Sequence, residues 1–147
     1  MYRKILVALD ASTADQSLLP HVAELAKIHG SQMLLLHVAD GWVARNYDRL
    51  ELAESEEMKS DRAYLDANAA RLRAEGLIVE TKLALGDPPN EVLKVAESEK
   101  CDLIAMTTHG HRLLGDIFFG DTIEKVRHSS QIPLLIVRSA VKPVPID

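Results

Sequence analysis

Five short apolar runs punctuate the chain, and helical patterns fill the intervals. The first run, Ile5–Leu9 (I-L-V-A-L), is continuous rather than alternating. That is the pattern of a strand covered on both faces, as in a parallel sheet. Met33–Val38 (M-L-L-L-H-V), Leu103–Thr107 and Leu134–Val137 read the same way. Leu77–Leu85 (L-I-V-E-T-K-L-A-L) alternates more, which predicts an edge strand with one wetter face.

Leu18, Val22, Leu25, Ala26 and Ile28 recur at helical spacing and predict a helix from about Asp15 or Ser17 to His29. Pro20 is best tolerated in a first turn, which favours a start near Ser17. Gly30 stands where a C-cap glycine belongs. Residues 42–56 are polar and weakly patterned, and predict an irregular connection or a short helix. Met58–Glu75 predicts a long helix, with Leu65, Ala69 and Leu72 on its apolar face, Tyr64 beside that seam and Gly76 as its stop. Gly86-Asp87-Pro88-Pro89 leads into a third helix, Asn90–Glu99. After the fourth strand a glycine-punctuated loop is expected to enter a last helix near Thr122.

This alternation argues an α/β fold, a five-stranded parallel sheet with helices on both faces. Ligands of such sheets bind outside the C-terminal strand ends, where the strand order reverses. The candidate segments are Asp10–Thr13 after the first strand and Thr107–Asp121 after the fourth.

The bulk properties narrow the possibilities. A chain of 147 residues fits one domain, expected over residues 1–140, and 47% apolar content supplies a core. The segment 141–147 carries two prolines and is expected to be extended or disordered. A net charge of -5 with no long basic run gives nucleic acid no electrostatic footprint. No apolar run approaches a membrane span, and the short N-terminal one ends at Asp10. The chain therefore reads as cytoplasmic and complete as it stands. Cys101 is the sole cysteine, so no internal disulfide is possible.

The stretch from Cys101 to Arg138 joins a strand, a glycine loop and a helix N-terminus. This arrangement collects phosphate, because free backbone N–H groups and the helix dipole converge. Asp10, at a strand end, reads on its own as a turn or cap residue. His109-Gly110-His111 offers two imidazoles, but alternating residues point apart, so no metal site is expected and His109 reads as a loop hydrogen-bonder. Arg112 reads as a solvated charge, Phe118-Phe119 as core or dimer packing, His37 as a structural histidine and Cys101 as a small packing residue. No Ser–His–Asp set can be placed and no G-x-x-x-x-G-K-[ST] is present. The expectation is a protein that is not an enzyme, since no candidate base stands out.

Taken together, K-I-L-V-A-L-D, L-L-L-H-V, G-D-P, C-D-L-I-A-M-T-T-H-G-H-R, G-D-I-F-F-G-D-T-I-E-K-V-R-H and I-P-L-L-I-V-R, in that order, resemble the universal stress protein family over nearly the whole chain. The resemblance implies a Rossmann-like three-layer α/β/α sandwich with strand order 3-2-1-4-5, and a homodimer formed through the last strand (Leu134, Ile136). It also implies an adenine nucleotide, ATP or AMP, as ligand. The ATP-binding branch carries Gly, two residues, Gly, nine residues, Gly and Ser or Thr. The matching positions here are Thr107, Gly110, Gly120 and Asp121.

Carried over in the same way, Asp10 with Ala11 and Ser12 faces the ribose, and the Val38 backbone pairs with adenine. Met106, His109, Gly110 and His111 belong to the strand-four loop, and Gly120, Asp121 and Thr122 to the phosphate end. Thr107 and Asp121 depart from the pattern. An ionised carboxylate cannot donate to phosphate, and at ~4 Å two unit charges repel by about 4 kcal/mol at an effective dielectric of about 20. Asp121 is also a good N-cap residue, and Mg or Mn could bridge it to a phosphate. The leading expectation is a homodimeric, non-enzymatic stress or signalling protein that binds an adenine nucleotide. The alternatives are a dimer that has lost ATP binding and acts through protein partners, and a binder of AMP or a cyclic nucleotide.

Overall fold

The computed structural model describes residues 1–39, 51–108 and 115–139, with side chains for 1–39, 58–108 and 122–139. The order is β1 (Lys4–Leu9), α1 (Asp15–His29), β2 (Gln32–Ala39), α2 (Glu51–Ala74), β3 (Ile78–Leu85), α3 (Pro88–Ser98), β4 (Leu103–Thr107), α4 (Gly115–Ser129) and β5 (Leu134–Val137). The strands form one parallel sheet in the order β3-β2-β1-β4-β5. The chain winds outward from β1 to β3, returns to β4 and winds the other way, so the reversal lies between β1 and β4.

Strand alternation divides the core. Ile5, Val7, Met33, Leu35, Leu103 and Ala105 pack under α1 and α2 with Leu18, Val22, Leu65 and Leu72. Leu6, Ala8, Leu34, Leu36, Ile104 and Met106 pack under α3 and α4 with Val92, Val95 and Val126. Continuous apolar strands are therefore the residues of two half-cores read in turn. The alternating strand, β3, is an edge as its pattern predicts. The other edge, β5, has four half-buried apolar residues.

Helix α3 runs from Pro88 to Ser98 rather than from Asn90 to Glu99, and three other helix starts differ from the sequence reading. Helix α1 starts at Asp15, which puts Pro20 inside it rather than in its first turn. Pro20 removes the N–H that would bond the Gln16 carbonyl, and both residues are exposed, so water can take its place. Helix α2 starts at Glu51, not Met58. Its added turns, E-L-A-E-S-E-E, are mostly strong helix formers, and their acidic residues suit the positive end of the dipole.

Helix α4 starts at Gly115, so Gly120 and Asp121 are its sixth and seventh residues and Asp121 is not an N-cap. An interior glycine costs a helix only about 1 kcal/mol, and the apolar spacing of Phe119, Ile123 and Val126 runs across it. Gly30 is a C-cap as expected, at φ 67°, donating to Ala26 O, which also accepts Ser31 N–H at 2.9 Å. The tail 141–147 lies outside the described residues.

Candidate functional site

Beyond the last β1 residue the chain makes a tight turn held by two carboxylates. Asp10 Oδ1 accepts the Ser12 N–H at 3.0 Å and the Ser12 hydroxyl. Ser12 Oγ in turn accepts the Ala14 N–H at 3.2 Å. Ala11 adopts a left-handed conformation, φ 61°, which costs a residue with a Cβ about 1–2 kcal/mol.

Asp15 offsets that strain. Its Oδ2 accepts the Ala11 N–H at 3.0 Å and its Oδ1 the Asp10 N–H at 3.3 Å. The Tyr64 hydroxyl, reaching over from α2, donates to Asp15 Oδ2 at 2.6 Å. Asp15 is 1% exposed. Burial raises its carboxyl to about 7, the Tyr64 hydrogen bond opposes that rise, and the Asp10 charge adds to it. Burial first, and then the bond to Asp15, hold the Tyr64 phenol well above its ordinary value.

Beneath the turn, β1 and β2 are in register at Leu9 and His37. His37 Nδ1 lies 2.9 Å from Leu9 O, and its Nε2 lies 3.5 Å from Asp61 Oδ2 on α2. His37 is thus the hydrogen-bonded structural histidine its apolar surroundings predict. The β1–β2 ladder stops one residue short of Val38, which packs partly buried toward α3.

Across the reversal, β4 ends at Thr107. Thr107 is 1% exposed, and its hydroxyl has no hydrogen-bond partner among the described residues. Its neighbour Thr108 N–H bonds Val137 O at 3.2 Å. Met106 is core, so anything it offers a ligand comes from its backbone. Thr122 is buried in α4, 4% exposed. His109, Gly110, His111 and Arg112 lie outside the described residues.

The structure thus brings Asp10, Ala11, Ser12, Met106 and Thr107 to neighbouring strand ends, and Val38 to the next strand. Among the described residues no group of three His, Cys, Asp or Glu is arranged to hold a metal ion. None of the helices they form is long and apolar enough to cross a membrane. Cys101 is buried, and burial pushes its thiol up to about 11, which suits packing rather than nucleophilic chemistry.

Sequence reasoning missed the Asp15–Tyr64 bond. Asp15 reads as a helix-start residue, and no local pattern ties it to a tyrosine 49 positions away. The acidic residue five places after Asp10 was the available signal.

A doubly wound parallel sheet with a braced turn at its strand-order reversal defines a Rossmann-like α/β protein. Residues 1–138 match the universal stress protein family, and the chain belongs to that family. Universal stress protein MJ0577 of Methanocaldococcus jannaschii is 28% identical, over 94% of this chain and 96% of its own. The solved structure of MJ0577 matches with a TM-score of 0.81 over 97% of this chain and 99% of its own. A universal stress protein from Archaeoglobus fulgidus, solved in complex with dAMP, is 22% identical with a TM-score of 0.69, covering 92% and 98% of the two chains. One solved in complex with cAMP is 18% identical with a TM-score of 0.67, covering 95% and 98%. These last two share the fold.

Proposed function

We propose that this universal stress protein is a homodimeric, non-enzymatic stress-response or signalling protein of the cytoplasm. It binds an adenine nucleotide, ATP or AMP, at the C-terminal ends of β1 and β4. The observation that carries this reading is the pair of groups at the reversal. Asp10 stands on one strand end in a braced turn, and on the next Thr107 buries a hydroxyl that has no partner among the described residues. A buried polar group left unpaired costs about 1–3 kcal/mol, and a ligand atom would remove that cost. The residues therefore fit a nucleotide. Asp10 would accept from ribose hydroxyls and Val38 would pair with adenine through its backbone. Met106, Thr107, His109, Gly110 and His111 would line its phosphate side, with Gly120, Asp121 and Thr122 beyond. The dAMP and cAMP complexes of two proteins of this fold support the ligand class.

The edge strand β5 supports the dimer. Its residues Leu134, Leu135, Ile136 and Val137 are all apolar and half-buried, and an apolar edge is a template for pairing with another chain unless it is covered.

Calorimetry with ATP, AMP and cyclic AMP, each with and without Mg²⁺ or Mn²⁺, tests the reading. Saturable heat with at least one is expected, and none at millimolar ligand overturns it. The second reading, a dimer that acts through protein partners, rests on Thr107 and Asp121 standing where the ATP-binding pattern has glycine and a hydroxyl. It predicts that null result.

A further inference from the structure

Asp15 is a buried acid to which the nucleotide reading gives no contact with the ligand. It is set among donors, beside the one carboxylate that the nucleotide reading does need. We propose that Asp15 is a positioning residue for Asp10: it braces the left-handed Ala11 turn and, by holding or releasing one proton toward the Asp10 carboxylate, makes adenosine affinity rise with pH across neutrality. This rests on the reading of Asp10 as the ribose contact.

The geometry gives the direction. Ionised Asp15 has three donors aimed at it, the N–H groups of Asp10 and Ala11 and the hydroxyl of Tyr64. In that state it asks nothing of Asp10, whose carboxylate stays an acceptor for ribose hydroxyls. Protonated Asp15 carries an O–H that needs an acceptor. The neighbouring backbone groups are donors, and of the two acceptors beside it, the neutral Tyr64 hydroxyl and the charged Asp10 carboxylate, the carboxylate makes the stronger bond. That bond uses an Asp10 lone pair and draws off its charge, so Asp10 holds ribose less well.

The other charged groups around the turn are fixed in place. From α2, the Arg71 guanidinium is held by Asn68 Oδ1 at 2.7 Å, and Asn68 Nδ2 donates to Tyr64 O at 2.9 Å. From β2, His37 holds Leu9 O and faces Asp61. Among the described residues, Asp10 is the charge that acts on Asp15. A groove of about 510 Å³ lined by Ser12, Asp15, Gln16, Tyr64, Asn68 and Arg71 gives the proton a path to water. The carboxyl raised to about 7 sets the pH range.

Adenosine is the probe because it has no phosphate to titrate near pH 6. Calorimetry on the full chain is expected to show adenosine affinity rising up to about tenfold between pH 6 and 8, the limit for release of one proton of mid-range pKa. Asp15→Asn keeps an acceptor and offers Asp10 a permanent donor, so its profile should be flat and near the weak, low-pH value of the wild type. Tyr64→Phe removes a donor that favours the ionised form, so the midpoint should move to higher pH. Carboxyl ¹³C NMR follows Asp15 in the ligand-free protein independently of any nucleotide. A flat wild-type profile, or an Asp15→Asn profile that keeps its slope, overturns the inference and leaves nucleotide binding standing. Asp15 titrating near neutrality with no binding of adenosine, AMP or ATP at any pH overturns the nucleotide reading, and the inference with it.

Discussion

His37 holds the end of β1 in place: its Nδ1 lies 2.9 Å from the Leu9 carbonyl, one residue before the turn that presents Asp10. A carbonyl only accepts, so this nitrogen carries the proton in the bond. The ring's other nitrogen then faces Asp61 on α2. With Tyr64, three residues further along α2 and bonded to Asp15, the helix grips both the strand end and the turn. A polar residue in an apolar strand is thus part of the scaffold under the proposed site.

His37→Leu should therefore cost stability. The variant keeps an apolar side chain of similar size but leaves the buried Leu9 carbonyl without its donor. A loss of about 1–3 kcal/mol is expected. It should be read as a lower urea midpoint at unchanged m-value. An unchanged midpoint would show that water replaces the histidine.

Asp15 predicts a pH dependence of folding distinct from that of binding. Its native carboxyl is raised to about 7 from a reference of 3.8. The native state therefore keeps a proton that the unfolded chain gives up between about pH 4 and 7. Stability rises with pH only where the unfolded state binds more protons. Here the native state binds more, so the Asp15 contribution falls across that window and levels off above it. Asp15→Asn lacks this term. Its stability relative to the wild type should improve from pH 5 to pH 8 in parallel urea titrations, and a constant difference would place the Asp15 titration outside that range.

Thr107→Val tests the buried hydroxyl that has no partner among the described residues. Val has nearly the same shape and no polar atom. Removing an unsatisfied buried group should stabilise the ligand-free protein by about 1 kcal/mol. If the hydroxyl meets the nucleotide, the same change should weaken AMP binding. Higher thermal stability together with weaker AMP affinity is the expected pair of results. Higher stability with unchanged affinity would remove Thr107 from the site.

Most of this architecture is legible in the sequence because burial on both faces writes itself as continuous apolar runs. Ile5–Leu9, Met33–Val38 and Leu103–Thr107 each supply both half-cores. Gly30 and Gly76 mark helix ends because the chain turns left-handed there, at φ 67° and 92°. Helix starts were less legible. The starts of α2 and α4 carry polar or glycine-containing sequence whose helicity is a matter of propensity and charge, not apolar spacing. Asp10 and Thr107 were legible as candidates from their place after strands. The brace of Asp15 by Tyr64 was not, because it depends on how α2 lies across α1, and residue spacing does not encode that.

Ile136→Asp addresses the dimer. Ile136 is half-buried on the edge strand and packs on the α3 and α4 side. A charge there opposes an apolar strand-to-strand contact between two copies. A monomer by light scattering, with helical circular dichroism retained, is expected. A folded dimer would move the interface away from β5.

Asp121→Ser separates the remaining accounts of the altered phosphate motif. Asp121 is the seventh residue of α4, so an N-cap role no longer explains it, and charge is the property left to test. A third of the roughly 4 kcal/mol repulsion between two close unit charges is worth about tenfold in affinity. Asp121→Ser should therefore tighten ATP binding about tenfold or more without divalent metal. It should leave adenosine, which has no phosphate, unchanged. If instead a metal bridges Asp121 to a phosphate, wild-type ATP binding will need Mg²⁺ or Mn²⁺, and the variant will lose that dependence along with affinity. Unchanged ATP affinity with and without metal would place Asp121 away from the phosphates. The site would then take AMP or adenosine without reading the triphosphate end.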